Sequence, residues 1–313
     1  MRKMLFLVVT GLAAFAAKAQ NNGTPGAIRI SGTRLTYPLV EKWIKEFGKT
    51  HPGITIALAS GLPQDSADIA IVSHILTKGD VKEGKTSIVL NRYVQLPVVN
   101  SRRKDVLQLQ EKGFTDAAFR QVYFADTAKG SELGAATDVP VSTYHFAVYK
   151  RAKPACASIA FANHFGSEQK DIKGTGITGD DKDLLAAVKR DENGITYNNL
   201  GFIYNLSTRR VNDSVAVIPL DLNENGRVDP AEKIYNTLDE VIAFTEQTNS
   251  PKILTENVHV IFNADTQNKA VASFLQWILT TGQQYNHTYG FLNLDTNTKN
   301  EQEHLLALAS KHF

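Results

Sequence analysis

The sequence holds a single cysteine, Cys156, among 313 residues. One thiol forms no intrachain disulfide and builds no thiolate metal cluster. Charge of either sign is also nearly missing as an excess. Lys and Arg number 34 and Asp and Glu 32, a formal +2. That balance supplies no polybasic surface for nucleic acid. No internal repeat and no low-complexity segment is present. Neither a G-x-S-x-G elbow nor an H-E-x-x-H zinc motif occurs, and the eight His are scattered. Cys156 has His164 nearby in sequence but no orienting acid beside it, so catalysis finds no support and Cys156 is expected to pack as a small apolar residue. What is present is ordinary globular composition, 42% hydrophobic and 21% charged, enough for a large core.

Only the first residues are apolar enough to concern a membrane. Arg2 and Lys3 precede the apolar run 4–17, MLFLVVTGLAAFAA, which is short for a bilayer span. Ala17-Lys18-Ala19 follows as a small-x-small cleavage motif. Residues 1–19 are therefore expected to be a signal peptide, with Gln20 opening a periplasmic or secreted mature chain. The leader removes Arg2, Lys3 and Lys18 and no acid, so the mature protein is close to neutral. A single Cys suits an oxidising compartment.

Strand and helix signals then alternate. Ala27–Ser31 reads as a strand. From Thr36 the period changes to that of a helix, with Leu39, Val40, Trp43, Ile44 and Phe47 on one face. Thr36 is placed to cap it, and Pro38 fits its first turn. Ile54–Leu58 and Ala67–Ser73 read as strands, the second buried. Thr115 starts a short helix, and Asp181 is placed to cap another carrying Leu184, Leu185 and Val188. Ala270, Val271, Phe274, Leu275, Ile278 and Leu279 line the last long helix expected. Such alternation predicts an α/β fold with helices covering a parallel or mixed sheet.

Two Pro-bearing apolar segments, Tyr93–Val99 and Val215–Leu220, are candidates for chain crossings between two lobes. Residues 20–94 and 219–313 would then form one lobe and 95–218 the other. Two ordinary edge strands in one domain remain the other reading.

Several runs carry a resemblance. They are Ile30–Trp43 (ISGTRLTYPLVEKW), Ser60-Gly61, Ala67–Ser73 (ADIAIVS), Gly194–Asn199 (GITYNN) and Phe274–Tyr285 (FLQWILTTGQQY), the last followed by Gly290 and Phe291. In this order they resemble the periplasmic phosphate-binding proteins of ABC-type phosphate transporters. The resemblance covers nearly all of the mature chain. It implies a two-lobed type II binding protein, hinged at the two crossing strands, that captures phosphate or a related tetrahedral oxyanion. It also implies a partner complex in the membrane and no enzymatic activity, and the chain is expected to be a monomer. The site residues it implies are Thr36, Tyr37, Ser60, Ser73 and Arg151. A helix N-terminus near Thr36 suits an oxyanion, because its free N–H groups and partial positive charge need no cation. The Arg151 fork suits two oxygens.

The departures bear on selectivity. The family commonly places an acid just after the strand matching 67–73, where it accepts a proton from the ligand. Here Ser73-His74 stands there, and Asp65 and Asp68 are the first candidates for another proton acceptor. After Arg151 the chain reads Ala152-Lys153-Pro154-Ala155-Cys156-Ala157-Ser158, with a Lys near the expected acid and a Pro that removes one N–H. Weakened preference for phosphate over sulfate is expected. A paralogue with a retired anion site, acting as a sensory or interaction protein, is the alternative.

One further motif is sharp. Residues 221–232, DLNENGRVDPAE, fit a twelve-position calcium loop. Asp221, Asn223, Asn225, the Arg227 carbonyl, Asp229 and Glu232 supply the ligand positions, and Gly226 the sharp turn. A structural Ca2+ is expected there, in a strand–loop–helix setting; an Asx-rich turn that binds nothing is the other reading.

Overall fold

The computed structural model describes residues 26–124, 144–264 and 268–310. The expected leader 1–19 and its cleavage motif at Ala17-Lys18-Ala19 lie outside the described residues. Along the chain come β1 (Ala27–Gly32), α1 (Tyr37–Thr50), β2 (Thr55–Leu58), β3 (Ile69–Val72) and the long β4 (Lys85–Asn100). Then follow α2 (Val106–Lys112), α3 (Asp116–Tyr123), β5 (Ala147–Arg151), α4 (Cys156–His164), β6 (Thr175–Ile177), α5 (Asp181–Arg190) and β7 (Gly194–Asn199). The rest is α6 (Leu200–Ile203), β8 (Val215–Val217), α7 (Leu238–Thr248), β9 (Thr255–Asn263), α8 (Lys269–Thr280), β10 (Phe291–Leu292) and α9 (Thr296–Ala309). The strands join in the order β2-β1-β3-β9-β4-β7-β5-β6, with β8 and β10 also on β4. Parallel pairs (β1 with β2 and β3, β5 with β6 and β7) meet antiparallel ones at β9 and β4, so the fold is mixed α/β as expected.

Two apolar cores flank β4. The apolar face of α1 and that of α8 fill the first, where Leu39, Trp43, Phe47, Phe274 and Leu275 pack on Ile28, Ile30, Val258 and Val260. Trp43 is 1% exposed and donates from Nε1 to the Gly282 carbonyl at 2.9 Å, which satisfies the one polar atom of that ring. The second core is aromatic, with Phe119, Tyr123, Phe161, Phe165 and Tyr197 at its centre. Phe161 stacks on Tyr197 with centroids 3.9 Å apart.

β4 crosses between the cores. Residues 85–94 pair with β9 and residues 95–99 with β7. Pro97 lies inside this strand, although a Pro argues against a central position. It is tolerated because its carbonyl accepts from Ile218 N at 3.0 Å. The N and O of one extended residue point the same way, so the missing N–H falls just past the last paired residue of β8 and disturbs nothing on β7.

The return crossing differs from the expectation at Val215–Leu220. β8 pairs with Val98–Asn100, and Ile218, Leu220, Tyr235, Leu238, Val241 and Leu254 all enter the second core. The chain rejoins the first core at Thr255, where β9 begins beside Val94. Segment 219–254, expected in the first lobe, therefore belongs to the second. The alternation in VAVIPL marks a strand without saying which core it serves. The 221–232 loop likewise sits on the second lobe: Asp221 N donates to Phe114 O at 3.0 Å and Val228 N to Glu111 O at 2.8 Å.

Candidate functional site: a cleft between the two cores

A cleft of about 420 Å³ opens between the lobes. One wall is the end of β1 with the turn 33–35, then Gly61, Leu62, Gln64, β3, His74 and Asp80. The other is Arg151, Pro154–Ala157, Asp180, Asp181 and Phe202. Three chain features that favour anions face each other here. The single 3₁₀ turn Arg34–Thr36 leads into α1, and α4 and α5 start on the opposite wall. The first-turn N–H groups of a helix have no helical partner and carry partial positive charge. At α5 that charge is already answered, since Asp180 accepts from Lys182 N at 3.2 Å and Asp183 from Asp180 N at 2.7 Å. At α4 the capping residue is Ala155, which offers no side-chain acceptor, so the start of α4 is the open end.

Charges of both signs line the cleft. Arg151 donates to Asp181 Oδ1 at 3.0 Å and to the Gly179 carbonyl. Arg34 reaches Asp180 at 4.0 Å from the other lobe. Asp181 is 6% exposed. Burial pushes its carboxyl up, helped by Asp180 and opposed by Arg151 and Arg34. On the facing wall His74 Nε2 stands 3.5 Å from Asp80 Oδ1. Asp80 is fixed by Thr77, whose N and Oγ1 donate to it at 2.8 and 2.6 Å. Burial works to raise its carboxyl, but the Thr77 bonds and His74 outweigh that and hold it low.

Of the residues expected to bind an anion, the cleft takes in Arg151 alone. Thr36 is buried, and its hydroxyl donates to the Thr33 carbonyl at 2.8 Å. It makes no side-chain cap, because its own backbone is already helical. Tyr37 OH donates to Gly32 O at 3.3 Å. Ser60 is exposed in the turn after β2, and Ser73 is fully buried at the end of β3. Each misses the cleft by one or a few positions: the residues that line it are Thr33, Arg34, Leu35, Gly61 and His74. Register within a loop decides which neighbour faces inward, and hydroxyl content alone does not reveal it.

The acids also differ from those the sequence suggests. Asp68 accepts from Arg29 N at 2.7 Å and Asp65 pairs with Lys82, both away from the cleft. Asp80, Asp180 and Asp181 are the carboxylates inside it. Asp181 is not the cap that its position suggests; Asp180 caps α5, and Asp181 is its first residue, turned toward Arg151. Lys153 is exposed and does not line the cleft.

In the 221–232 loop each carboxylate at a ligand position is held by donors of the loop itself, while Glu224 pairs with Lys252 outside it at 2.7 Å. Asp221 accepts from Asn225 N and Gly226 N at 3.2 and 2.8 Å. Asp229 Oδ2 accepts from the Asn223 and Asn225 amides at 2.9 and 2.8 Å. Glu232 accepts from Leu222 N and Asp229 N, both at 2.9 Å. Among the described residues no cluster of three or more His, Cys, Asp or Glu side chains is arranged to hold a metal ion.

No protein-family model matches the chain, and no curated protein matches it in sequence. Solved structures do match it in fold. One is a putative phosphate ABC transporter substrate-binding protein from Clostridium perfringens with bound phosphate. It is 14% identical, with a TM-score of 0.60, over 86% of this chain and 100% of that one. An ABC-type phosphate transport receptor from Vibrio cholerae is 16% identical, with a TM-score of 0.55, over 85% and 100%. A possible phosphate-binding protein from Planctomyces limnophilus is 13% identical, with a TM-score of 0.55, over 92% and 100%. The chain has the two-lobed fold of type II periplasmic binding proteins.

Proposed function

We propose that the protein is an extracytoplasmic solute-binding protein that captures a protonated tetrahedral oxyanion of the phosphate class and presents it to an ABC-type membrane complex. The observation that carries this reading is the uncapped start of α4, on the same wall as Arg151 and facing Arg34 across the cleft. Backbone N–H groups at a helix start hold oxyanion oxygens without a full counter-charge. The three cleft carboxylates supply the selectivity. An oxygen that carries a proton donates to a carboxylate, whereas a fully deprotonated sulfate oxygen meets like charge. Weakened phosphate preference is thus replaced by the opposite proposal. The likeness to solute-binding proteins, one of them holding phosphate, supports the ligand class and the transporter partner, and the apolar leader supports export.

Calorimetry of ligand-stripped protein against phosphate and sulfate tests it. Binding heat with phosphate, and a loss of about tenfold or more in Arg34→Ala, are expected for one lost charge-assisted contact. No heat with either anion overturns it. That result would favour the retired site, a reading supported by the occupation of Arg151 by Asp181 and Gly179.

A calcium ion on the 221–232 loop is a separate proposal. It rests on the ligand order and on an all-oxygen donor set of Asp221, Asn223, Asn225, the Arg227 carbonyl, Asp229 and Glu232, which suits a hard divalent cation. The ion would serve as a clip on the second lobe.

A further inference from the structure

We propose that Cys156 is a modification site: its sulfur, at the start of α4 and facing His74 and Asp80 of the opposite wall, reacts with small hydroperoxides to give a sulfenic acid. Cys156 is the only thiol of the chain and lines the cleft, so a small solute reaches it. It belongs to the second lobe but packs on Ala70, Val72 and Ile261 of the first. His74 follows β3 on that first lobe, two residues after the Val72 on which Cys156 packs, and His74 and Cys156 both line the cleft. The other side of His74 meets Asp80, itself fixed by Thr77. A carboxylate, an imidazole and a thiol thus stand in series across the cleft.

Two orphaned atoms mark the same spot. Ser73 is fully buried, and its Oγ makes no hydrogen bond of good geometry; the sulfur of Cys156 is beside it. His74 Nδ1 is buried and equally without a nitrogen or oxygen partner. Polar atoms are rarely left so in a folded core. A sulfenic oxygen on Cys156 would give both a partner.

The electrostatics point the same way. His74 is held above its ordinary value, first by the neighbouring Cys156, with Asp80 assisting and burial opposing. Burial works to raise the Cys156 thiol, yet His74 and the Ser73 backbone N–H outweigh it and hold it low. The start of α4 acts in the same direction. The remaining groups facing His74 do not compete for the proton. His259 is pushed down to about 4 by burial and by His74, and Glu256 is raised by burial.

In the reaction the thiolate sulfur attacks one peroxide oxygen. The S–O bond forms as the O–O bond breaks. Sulfur loses two electrons and the peroxide gains them. The hydroxide or alkoxide that leaves takes its proton from the His74 imidazolium. With no second cysteine in the chain, the sulfenic acid cannot close an intrachain disulfide and persists for trapping.

The test does not use anion binding, so it stands apart from the proposed transport role. The full chain is treated with hydrogen peroxide and dimedone, and adduct formation is followed by mass spectrometry from pH 5 to pH 9. The expected profile has its midpoint at least about one pH unit below the 8.5 of a free thiol. His74→Gln should move that midpoint up and slow trapping at pH 6 about tenfold, because a thiol titrating one pH unit higher holds about a tenth of the thiolate there. Asp80→Asn should move it the same way by less, and Asp65→Asn should leave it in place. A wild-type midpoint at 8.5 or above overturns the proposal. So does a His74→Gln protein that keeps its native circular dichroism spectrum and the wild-type profile.

Discussion

Gly32 and Gly61 both line the cleft and both have positive φ, +147° and +81°, yet they differ in what surrounds them. A Cβ on Gly32 would stand 2.4 Å from Ile71 O and 2.7 Å from Ile71 Cβ. Those atoms belong to β3, which is bound to β1 in register with Gly32 opposite Ile71, so they cannot swing aside. A Cβ on Gly61 meets nothing within 4 Å. Both Gly→Ala changes incur backbone strain of about 1–2 kcal/mol. Only Gly32→Ala adds overpacking, typically about 1–3 kcal/mol. Gly32→Ala should therefore destabilise by about 2–5 kcal/mol and Gly61→Ala by about 1–2 kcal/mol. Urea titration gives both numbers if the slope is unchanged. The difference isolates the packing contribution at the β1–β3 contact. Equal losses in the two variants would refute the close approach. The same clash should push the turn after Gly32 into the cleft, because Thr33 N donates to Ile71 O at 3.1 Å.

Asp181→Asn removes a carboxylate from the cleft while keeping an acceptor for Arg151. Competition binding should show the phosphate-to-sulfate preference narrowing about tenfold or more, and an unchanged ratio would place the proton acceptor elsewhere. The His259 imidazole, about 4 in the fold against 6.5 unfolded, stays neutral where the unfolded chain takes a proton. Stability should be intact above pH 6.5 and fall as pH drops from 6.5 toward 4, and the part of that slope due to this residue should vanish in His259→Gln. Leu275, 0% exposed between α8 and the sheet, should cost about 2–5 kcal/mol as Leu275→Ala in the same urea assay. If calcium clips the 221–232 loop, the fold should gain RT ln(1 + [L]/Kd) of stability with calcium over chelator, the melting temperature should rise accordingly, and the rise should disappear in Glu232→Gln. Equal melting with and without calcium would leave only the hydrogen-bonded turn.

Helix faces are the most legible part of the sequence. The apolar positions named for α1, α5 and α8 are buried almost without exception, because a 3.6-residue stripe has one physical use in a water-soluble fold. Strand β9 is harder to read, although Val258, Val260 and Phe262 alternate, since the polar start 255–257 and His259 dilute a short signal and the buried Ile261 breaks the alternation. Helix α9 is obscure for a related reason: it buries only Gln302 and Leu306. Site residues are harder still. Hydroxyls at 36, 37, 60 and 73 suggest an oxyanion by type, but a shift of one position turns a side chain away. The pairings that matter here, Arg151 with Asp181 and Cys156 with His74, join residues far apart in sequence. Such contacts follow from the sheet order, and no local pattern encodes it.

The two crossings lie side by side, and that ties the cleft to the hinge. β4 leaves the first core after Tyr93, Val94 already lying in the second, and β9 begins at Thr255, directly opposite Val94 in register. Gln95 N donates to Leu254 O at 3.1 Å, so the two crossings form one hydrogen-bonded ribbon, flanked on the β4 side by β10 at Tyr93 and by β7 from Gln95. The buried side chain of Gln95 reaches further, its Nε2 donating to the Ala157 carbonyl at 2.9 Å. Ala157 is in the first turn of α4, beside the open helix start. A rotation about the ribbon that carries Gln95 must carry that helix start with it. The open end of α4 and the crossings are thereby one mechanical unit. The opposite wall is held from the other side by Tyr93, two residues earlier in the same strand, whose hydroxyl donates to Ser73 O at 2.7 Å. Nearby residues of a single strand therefore grip both walls of the cleft, so any rotation at the crossings acts on both walls at once.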